Sequence, residues 1–271
     1  MSLVTVIDAL ALPANSRVDK RVSKKLLMQQ GLSTAADKRQ IQDVVEEMQW
    51  VAALKPTNIG VQKYRDEVRE YEEIAVLTVV LRVVAKAPRI TQLIHRAIPY
   101  PVLLVTKQAD TVSLSLAHKR WSQGENGKVV IEELRRTPSF DPEAPEPPEA
   151  QFLASLALST LPTSHLFALY QGWLDRIAAL DAALITGFFI PPDTVERSTV
   201  LNDGLQNHAK LRHRLNTLRA QGDKENQMNR RVELNVEIKQ LESKLAALTK
   251  ALAVGEPDYT QPMSLSIDDL R

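Results

Sequence analysis

The sequence predicts an α+β fold: an N-terminal mixed or antiparallel sheet with flanking helices, followed by an all-α region that ends in a coiled-coil-like helical hairpin. Three observations predict it. Segments rich in β-branched residues are confined to the first 140 residues, which we assign to one α+β domain. The Pro- and acid-rich stretch "DPEAPEPPEA" at 141–150 is typical of a linker. Beyond it, leucines recur at heptad spacing as far as residue 252.

The N-terminal elements are predicted from apolar periodicity and local breakers. The first ten residues fit a short strand or the start of a helix. Thr34 and Asp37 can form a capping box, which predicts a helix that continues until Pro56 stops it. The buried face of that helix would consist of Ile41, Val44, Val45 and Met48.

The centre of the chain predicts a strand, a helix and three further strands. Residues 73–84 are β-branched, and "APRITQLIHRA" has the spacing of an amphipathic helix. The following "IPYP" is interpreted as a helix-to-strand connector, because each proline pushes the residue before it into an extended conformation. Whether the Tyr100–Pro101 bond is cis is left open. Three strands with short connections then predict an antiparallel meander.

The C-terminal region is predicted to be helical throughout. We assign 151–192 to a helical segment, 193–252 to the hairpin and 253–271 to a mobile tail. A less regular leucine seam upstream of the polar "RAQGDKENQ" could fold against a heptad seam downstream of it, and one long helix is the alternative. The downstream seam, expected to pack within the hairpin or on a partner, is Leu234, Ile238, Leu241, Leu245 and Leu248.

Composition excludes several classes of protein. Apolar residues make up 44% of the chain and charged residues 25%, as in an ordinary globular protein. The absence of cysteine excludes disulfides, thiolate catalysis and Cys-based zinc sites. The chain shows no signal-peptide pattern and no apolar segment of the roughly 20 residues that span a bilayer. We therefore expect a cytoplasmic protein without membrane partners.

Catalytic signals are weak. Acids cluster between Asp66 and Glu73 before the first clear strand, which raises the idea of a metal-dependent nuclease. That strand supplies only Arg82, and Lys119 ends a later strand without an acid at the expected spacing, so a solvated acidic face is favoured. The five histidines do not form an HExxH motif. We predict no catalytic residue, no metal ligand and no cofactor.

Basic residues carry the best functional signal. They form one group near the N-terminus and another on the long C-terminal helices, where lysine and arginine can meet phosphates. The alternative is a solvated coiled-coil exterior. The candidate nucleic-acid contacts are Arg17, Lys20, Arg21, Lys24, Lys25, Arg212, Arg230 and Arg231.

An ordered set of segments resembles a known family. The segments are "LPANSRVDKRVSKKLL", "YEEIAVLTVVL", "HRAIPYPVLLV", "LYQGWLDRIAALDAALITGFF" and "RRVELNVEIKQLE". Together they resemble the bacterial and archaeal family called domain of unknown function 4391, over roughly residues 10–250. The resemblance implies a neighbourhood of DNA methyltransferases and superfamily 2 helicases in restriction-like or phage-defence loci. It implies no catalytic residues.

These observations favour a non-catalytic accessory or scaffold subunit of an antiviral defence complex. It would bind a helicase or DNA methyltransferase partner and contact DNA phosphates. A DNA-binding module and a divergent metal-dependent nuclease are the alternatives, and self-association of the chain stays open.

Overall fold

The computed structural model describes residues 2–30, 34–124 and 128–254. The chain divides into two compact units, Met1–Leu180 and Asp181–Arg271. Within the described ranges, no helix is both long and apolar enough to cross a membrane. The described residues end at 254, so nearly all of the mobile tail predicted for 253–271 lies outside them.

The described part of the first unit contains both strands and helices. Its strands are β1 (Arg17–Arg21), β2 (Val45–Leu54), β3 (Tyr64–Arg65), β4 (Glu70–Tyr71), β5 (Ile74–Leu81), β6 (Val102–Gln108), β7 (Thr111–Trp121) and β8 (Val129–Arg136). Its helices are α1 (Ser2–Ala9), α2 (Lys24–Gln30), α3 (Ala35–Val44), α4 (Pro56–Ile59), α5 (Ala87–Ala97), α6 (Pro147–Ala154) and α7 (Leu166–Thr186), the last of which continues into the second unit.

The central feature is a six-stranded mixed sheet with the order β1-β2-β5-β6-β7-β8. All neighbouring pairs are antiparallel except β5 and β6, which are parallel. A parallel pair needs a crossover, and α5 supplies it. The α+β class and the meander of the last three strands are confirmed. Strands β3 and β4 form a separate two-stranded ribbon.

The long helix predicted between Thr34 and Pro56 is wrong in its second half. One half of the predicted capping box is present, since the Thr34 hydroxyl accepts a hydrogen bond from the Asp37 amide. The helix ends at Val44, however, and β2 begins at once. The pairing of β2 with β5 shifts register just after Val45, and such a bulge adds one residue to the strand. Val45 and Met48 therefore share a buried face three residues apart, which imitates helical spacing.

Helices α5 and α7 cover opposite faces of the sheet. On β7, the Ser115 hydroxyl bonds the His95 ring of α5 at 3.0 Å, whereas the His118 ring bonds the Gln171 side chain of α7 at 2.7 Å. Residues three apart on a strand point to opposite faces. The sheet is therefore covered on both sides, which accounts for its nearly continuous apolar strands.

The connector 98–101 joins α5 to β6, as predicted, and its Tyr100–Pro101 bond is trans. A buried lysine fixes it from β7. The Lys119 ammonium donates to the carbonyl oxygens of Ile98 at 2.5 Å and Tyr100 at 2.6 Å. Lys119 thus satisfies two carbonyl oxygens of the connector, and the sequence analysis did not predict this contact.

We expect Pro99→Ala to lower the free energy of unfolding by about 1 kcal/mol or less. The reason is that alanine adds freedom to the unfolded chain, while the Lys119 bonds reach backbone oxygens on either side. Urea denaturation of the variant and the wild type measures the difference. A decrease of several kcal/mol in the free energy of unfolding would contradict the interpretation of Pro99 as part of a simple connector between α5 and β6.

The described part of the second unit is dominated by α8 (Val195–Gly222) and α9 (Met228–Val254). The two helices pack on each other, so the predicted helical hairpin is confirmed as the fold of this region and the single long helix is wrong. Gly204 of α8 lies so close to Leu252 that an added Cβ would stand 2.8 Å from a leucine methyl carbon. Glycine at this position permits the close approach.

Candidate nucleic-acid interface

The N-terminal candidates lie along β1 and the start of α2; we call Arg17, Lys20, Arg21, Lys24 and Lys25 the basic edge. Among the described strands, β1 is the last on its side of the sheet and pairs only with β2. Its register is irregular around Asp19, whose φ is +47°. A charged, bulged edge also prevents pairing with other chains, so edge protection is a second explanation for these charges.

Two members of the basic edge already have partners. Arg17 forms an ion pair with Asp19 at 2.9 Å, and the Lys24 ammonium donates to the Gln42 carbonyl at 3.1 Å. Lys20, Arg21 and Lys25 are exposed, and within the described ranges they have no carboxylate partner. These three residues of the basic edge can therefore bind an anion without first losing a carboxylate partner.

Ion pairs also engage part of the basic surface on the hairpin. Arg214 pairs with Glu237 at 2.8 Å and Arg219 with Glu242 at 2.7 Å, so both tie α8 to α9. The candidate Arg230 reaches Glu225 at 3.6 Å. The other two hairpin candidates, Arg212 and Arg231, are exposed and lack a carboxylate partner in the described part of the chain.

The five apolar residues of the heptad seam lie on α9, and each is half-buried. No residue of α9 is fully buried, whereas Leu215 and Leu218 of α8 are. Two helices can shield only part of a seam between them, so its flanks stay accessible. The residues so placed are Leu234, Ile238, Leu241, Leu245 and Leu248.

A groove of about 700 Å³ opens between α8 and α9 beside their connection; we call it the tip groove. Its polar lining includes His213, Asn216, Gln221, Lys224 and Arg230. The polar α8 members His213, Asn216, Thr217 and Gln221 include pairs three and four residues apart, which places them on one helical face. Sequence reasoning grouped the basic residues by density and so missed this polar stripe, although its spacing is visible in the sequence.

Comparison with known proteins places this architecture in a family. A family model described as domain of unknown function (DUF4391) matches residues 10–245, which is most of the chain. The chain belongs to the DUF4391 family. No curated protein and no solved structure matches it.

In the DUF4391 chain, three of the acids before β5 form local contacts within the fold. Asp66 accepts hydrogen bonds from the amides of Val68 and Arg69, at 2.7 Å each. Glu70 pairs with Arg65, and Glu73 pairs with Lys55. Across the described ranges, no group of three or more potential ligands is placed to hold a metal ion.

A buried polar chain was also missed by the sequence reasoning. The Tyr71 hydroxyl bonds Nδ1 of His118, whose Nε2 bonds Gln171, and the Gln171 amide donates to Asp175 at 2.9 Å. Burial raises the pKa of Tyr71 and lowers that of His118, which keeps both groups neutral. Burial likewise lowers the pKa of Lys119 to about 7. Tyr71 and His118 are buried and Gln171 and Asp175 are half-buried, and this series of hydrogen bonds links β4, β7 and α7.

Proposed function

We propose that this DUF4391 chain is a non-catalytic accessory subunit that contacts DNA phosphates and holds a helicase or DNA methyltransferase partner. One observation carries the proposal. Exposed basic side chains without carboxylate partners, in the part of the chain that the structure describes, occur on both units: Lys20, Arg21 and Lys25 on one, and Arg212 and Arg231 on the other.

Unpaired cations favour phosphate binding for a physical reason. A cation paired with a carboxylate must lose that partner before it can neutralise a phosphate. An unpaired cation can neutralise a phosphate directly and release the counterions condensed on the DNA. Such contacts position a protein on DNA without reading its sequence. The proposed subunit would therefore bind DNA weakly and without sequence preference, which suits a protein that works beside an enzyme with its own specificity.

The partner side of the proposal rests on the family resemblance and on the hairpin. The resemblance implies restriction-like or phage-defence loci that also encode helicases and methyltransferases. The hairpin offers a seam whose flanks remain accessible, at Leu234 and Ile238 for example. Half-exposed seams of this kind accept a further helix at modest cost, because little additional polar surface must be desolvated.

We expect a triple variant of the basic edge, with Lys20, Arg21 and Lys25 changed to glutamate, to bind duplex DNA more weakly than wild type. The loss should be similar for unrelated sequences, and the slope of log affinity against log salt should fall by up to about 3, since each phosphate contact contributes roughly 0.9. Fluorescence anisotropy at two salt concentrations measures both quantities.

The matched control for this experiment changes Lys38, Lys63 and Lys86 to glutamate. These lysines are also exposed on the first unit, and the variant has the same net charge. If both triple variants lose equal affinity, the net charge of the chain explains binding and the basic edge is not a site. If the wild type does not bind DNA even at low salt, the DNA part of the proposal is wrong.

A further inference from the structure

The charge of the hairpin is concentrated at its tip. Between residues 210 and 231, seven lysines and arginines stand against two acids, Asp223 and Glu225. Two further acids, Glu237 and Glu242 of α9, pair with Arg214 and Arg219, so seven cations face four acids at this end of the hairpin. The other residues of 195–209 and 232–254 include four basic and three acidic side chains. At ordinary salt, screening limits the range over which exposed charges act to about 10 Å. The local charge of the tip therefore attracts polyanions, although the net charge of the whole chain is only +1.

The tip groove lies within this basic segment. Lys224 supplies an unpaired cation to its lining, Arg230 supplies a second cation that faces Glu225, and Asn216 and Gln221 supply neutral amide donors. The one acid in the lining, Glu225, is already engaged: its Oε1 accepts the Gln227 amide at 2.9 Å, and its Oε2 faces Arg230 at 3.6 Å. The groove therefore presents mainly hydrogen-bond donors to a ligand.

We propose that the tip groove binds the phosphodiester backbone of a nucleic-acid duplex. This inference rests on the proposed function and deepens it, since it names the element that grips the nucleic acid and the form that is gripped. Arginine and amide donors suit phosphate oxygens. The lining has no Phe, Tyr or Trp on which an unstacked base could lie, so a single strand gains little there.

An acidic protein surface is the competing occupant, and the groove is poorly suited to it. Stable protein interfaces have an apolar, largely aromatic centre inside a polar rim. The apolar members of this lining are Ala220 and Leu234, of which Leu234 is already half-buried in the hairpin. Polar donors around so small an apolar surface favour a phosphate backbone.

The test compares two variants of the full chain with equal loss of charge on the same hairpin. The tip variant changes Lys224 and Arg230, the two cations of the groove lining, to glutamine. The base variant changes Lys239 and Lys244 to glutamine. All four side chains are exposed, so circular dichroism should show wild-type helicity for both.

We expect the tip variant to bind a short fluorescent duplex with a salt slope reduced by about 1 to 2, whereas the base variant keeps the wild-type slope. Wild type should also bind the duplex more tightly than either of its separated strands. Equal slopes for the two variants would overturn the tip groove as a site. Equal binding of duplex and single strand would overturn the duplex assignment.

Two further outcomes separate this inference from the proposed function. If polyglutamate displaces the duplex at equal charge concentration, the tip binds acidic polymers in general and the nucleic-acid assignment is overturned. If the tip variant binds as wild type does while the basic-edge variant loses binding, the inference fails and the proposed function stands. If wild type binds no DNA, both fail together.

Discussion

Replacing Ile238 and Leu245 with lysine should melt a large part of the hairpin. Both side chains are half-buried in the seam on α9, and full burial of one such side chain is worth roughly 1.5 to 3 kcal/mol. A pair of ammonium groups at these positions should therefore cost about 2 to 4 kcal/mol. Helices without a packed face are marginal in water, so α9 should lose helicity along with its contacts to α8. Circular dichroism and amide hydrogen exchange measure the loss.

The matched control places the same two lysines outside the seam. Val232 and Val236 are 56% and 52% exposed on the same helix, so changing both to lysine should leave helicity at the wild-type level. Binding of a helicase or methyltransferase partner should fall with helicity in the seam variant. If helicity is unchanged and only the complex is lost, the seam serves the partner and contributes little to the hairpin.

The sequence was sufficient for those elements whose periodicity matches their environment. Helix α5 and strands β5 to β8 were predicted because their apolar residues repeat with the period of one secondary structure and because prolines and polar turns separate them. Strand β2 was not, since the bulge after Val45 spaces its buried residues like those of a helix. Only the long-range pairing with β5 distinguishes the two structures, and no local pattern reports that pairing.

The candidate interface shows the same division between local and long-range information. Lysine and arginine density identified the basic edge and the hairpin correctly as exposed positive surfaces. It could not distinguish Lys20, which is unpaired among the described residues, from Arg214, whose partner Glu237 is distant in sequence. Lys119 was noted only for lacking an acid, whereas its partners are the carbonyls of Ile98 and Tyr100. Backbone acceptors leave no signature in a sequence.

The stability of the chain should rise between about pH 7 and about pH 9 because of Lys119. Burial lowers the pKa of this lysine from 10.5 to about 7, and no carboxylate offsets the effect. In this interval the unfolded chain binds a proton at Lys119 that the folded chain has released, so the free energy of unfolding increases with pH. A pKa difference of this size gives about 2 kcal/mol over the interval, measured by urea denaturation.

Lys119→Met isolates this contribution, since methionine keeps an unbranched side chain and cannot titrate. The variant leaves two carbonyls without their donor, so its absolute stability is not informative, but its pH slope is. The slope should fall below that of wild type, whereas Lys107→Met on the neighbouring strand β6 should leave it unchanged. Burial also lowers the pKa values of His95 and His118. These two histidines reduce the free energy of unfolding only as the pH falls below about 6.5, because their rings then bind protons in the unfolded chain but stay neutral in the folded chain. A wild-type slope that survives Lys119→Met would mean that water reaches the ammonium group and that the connector is held by an ordinary hydrated lysine.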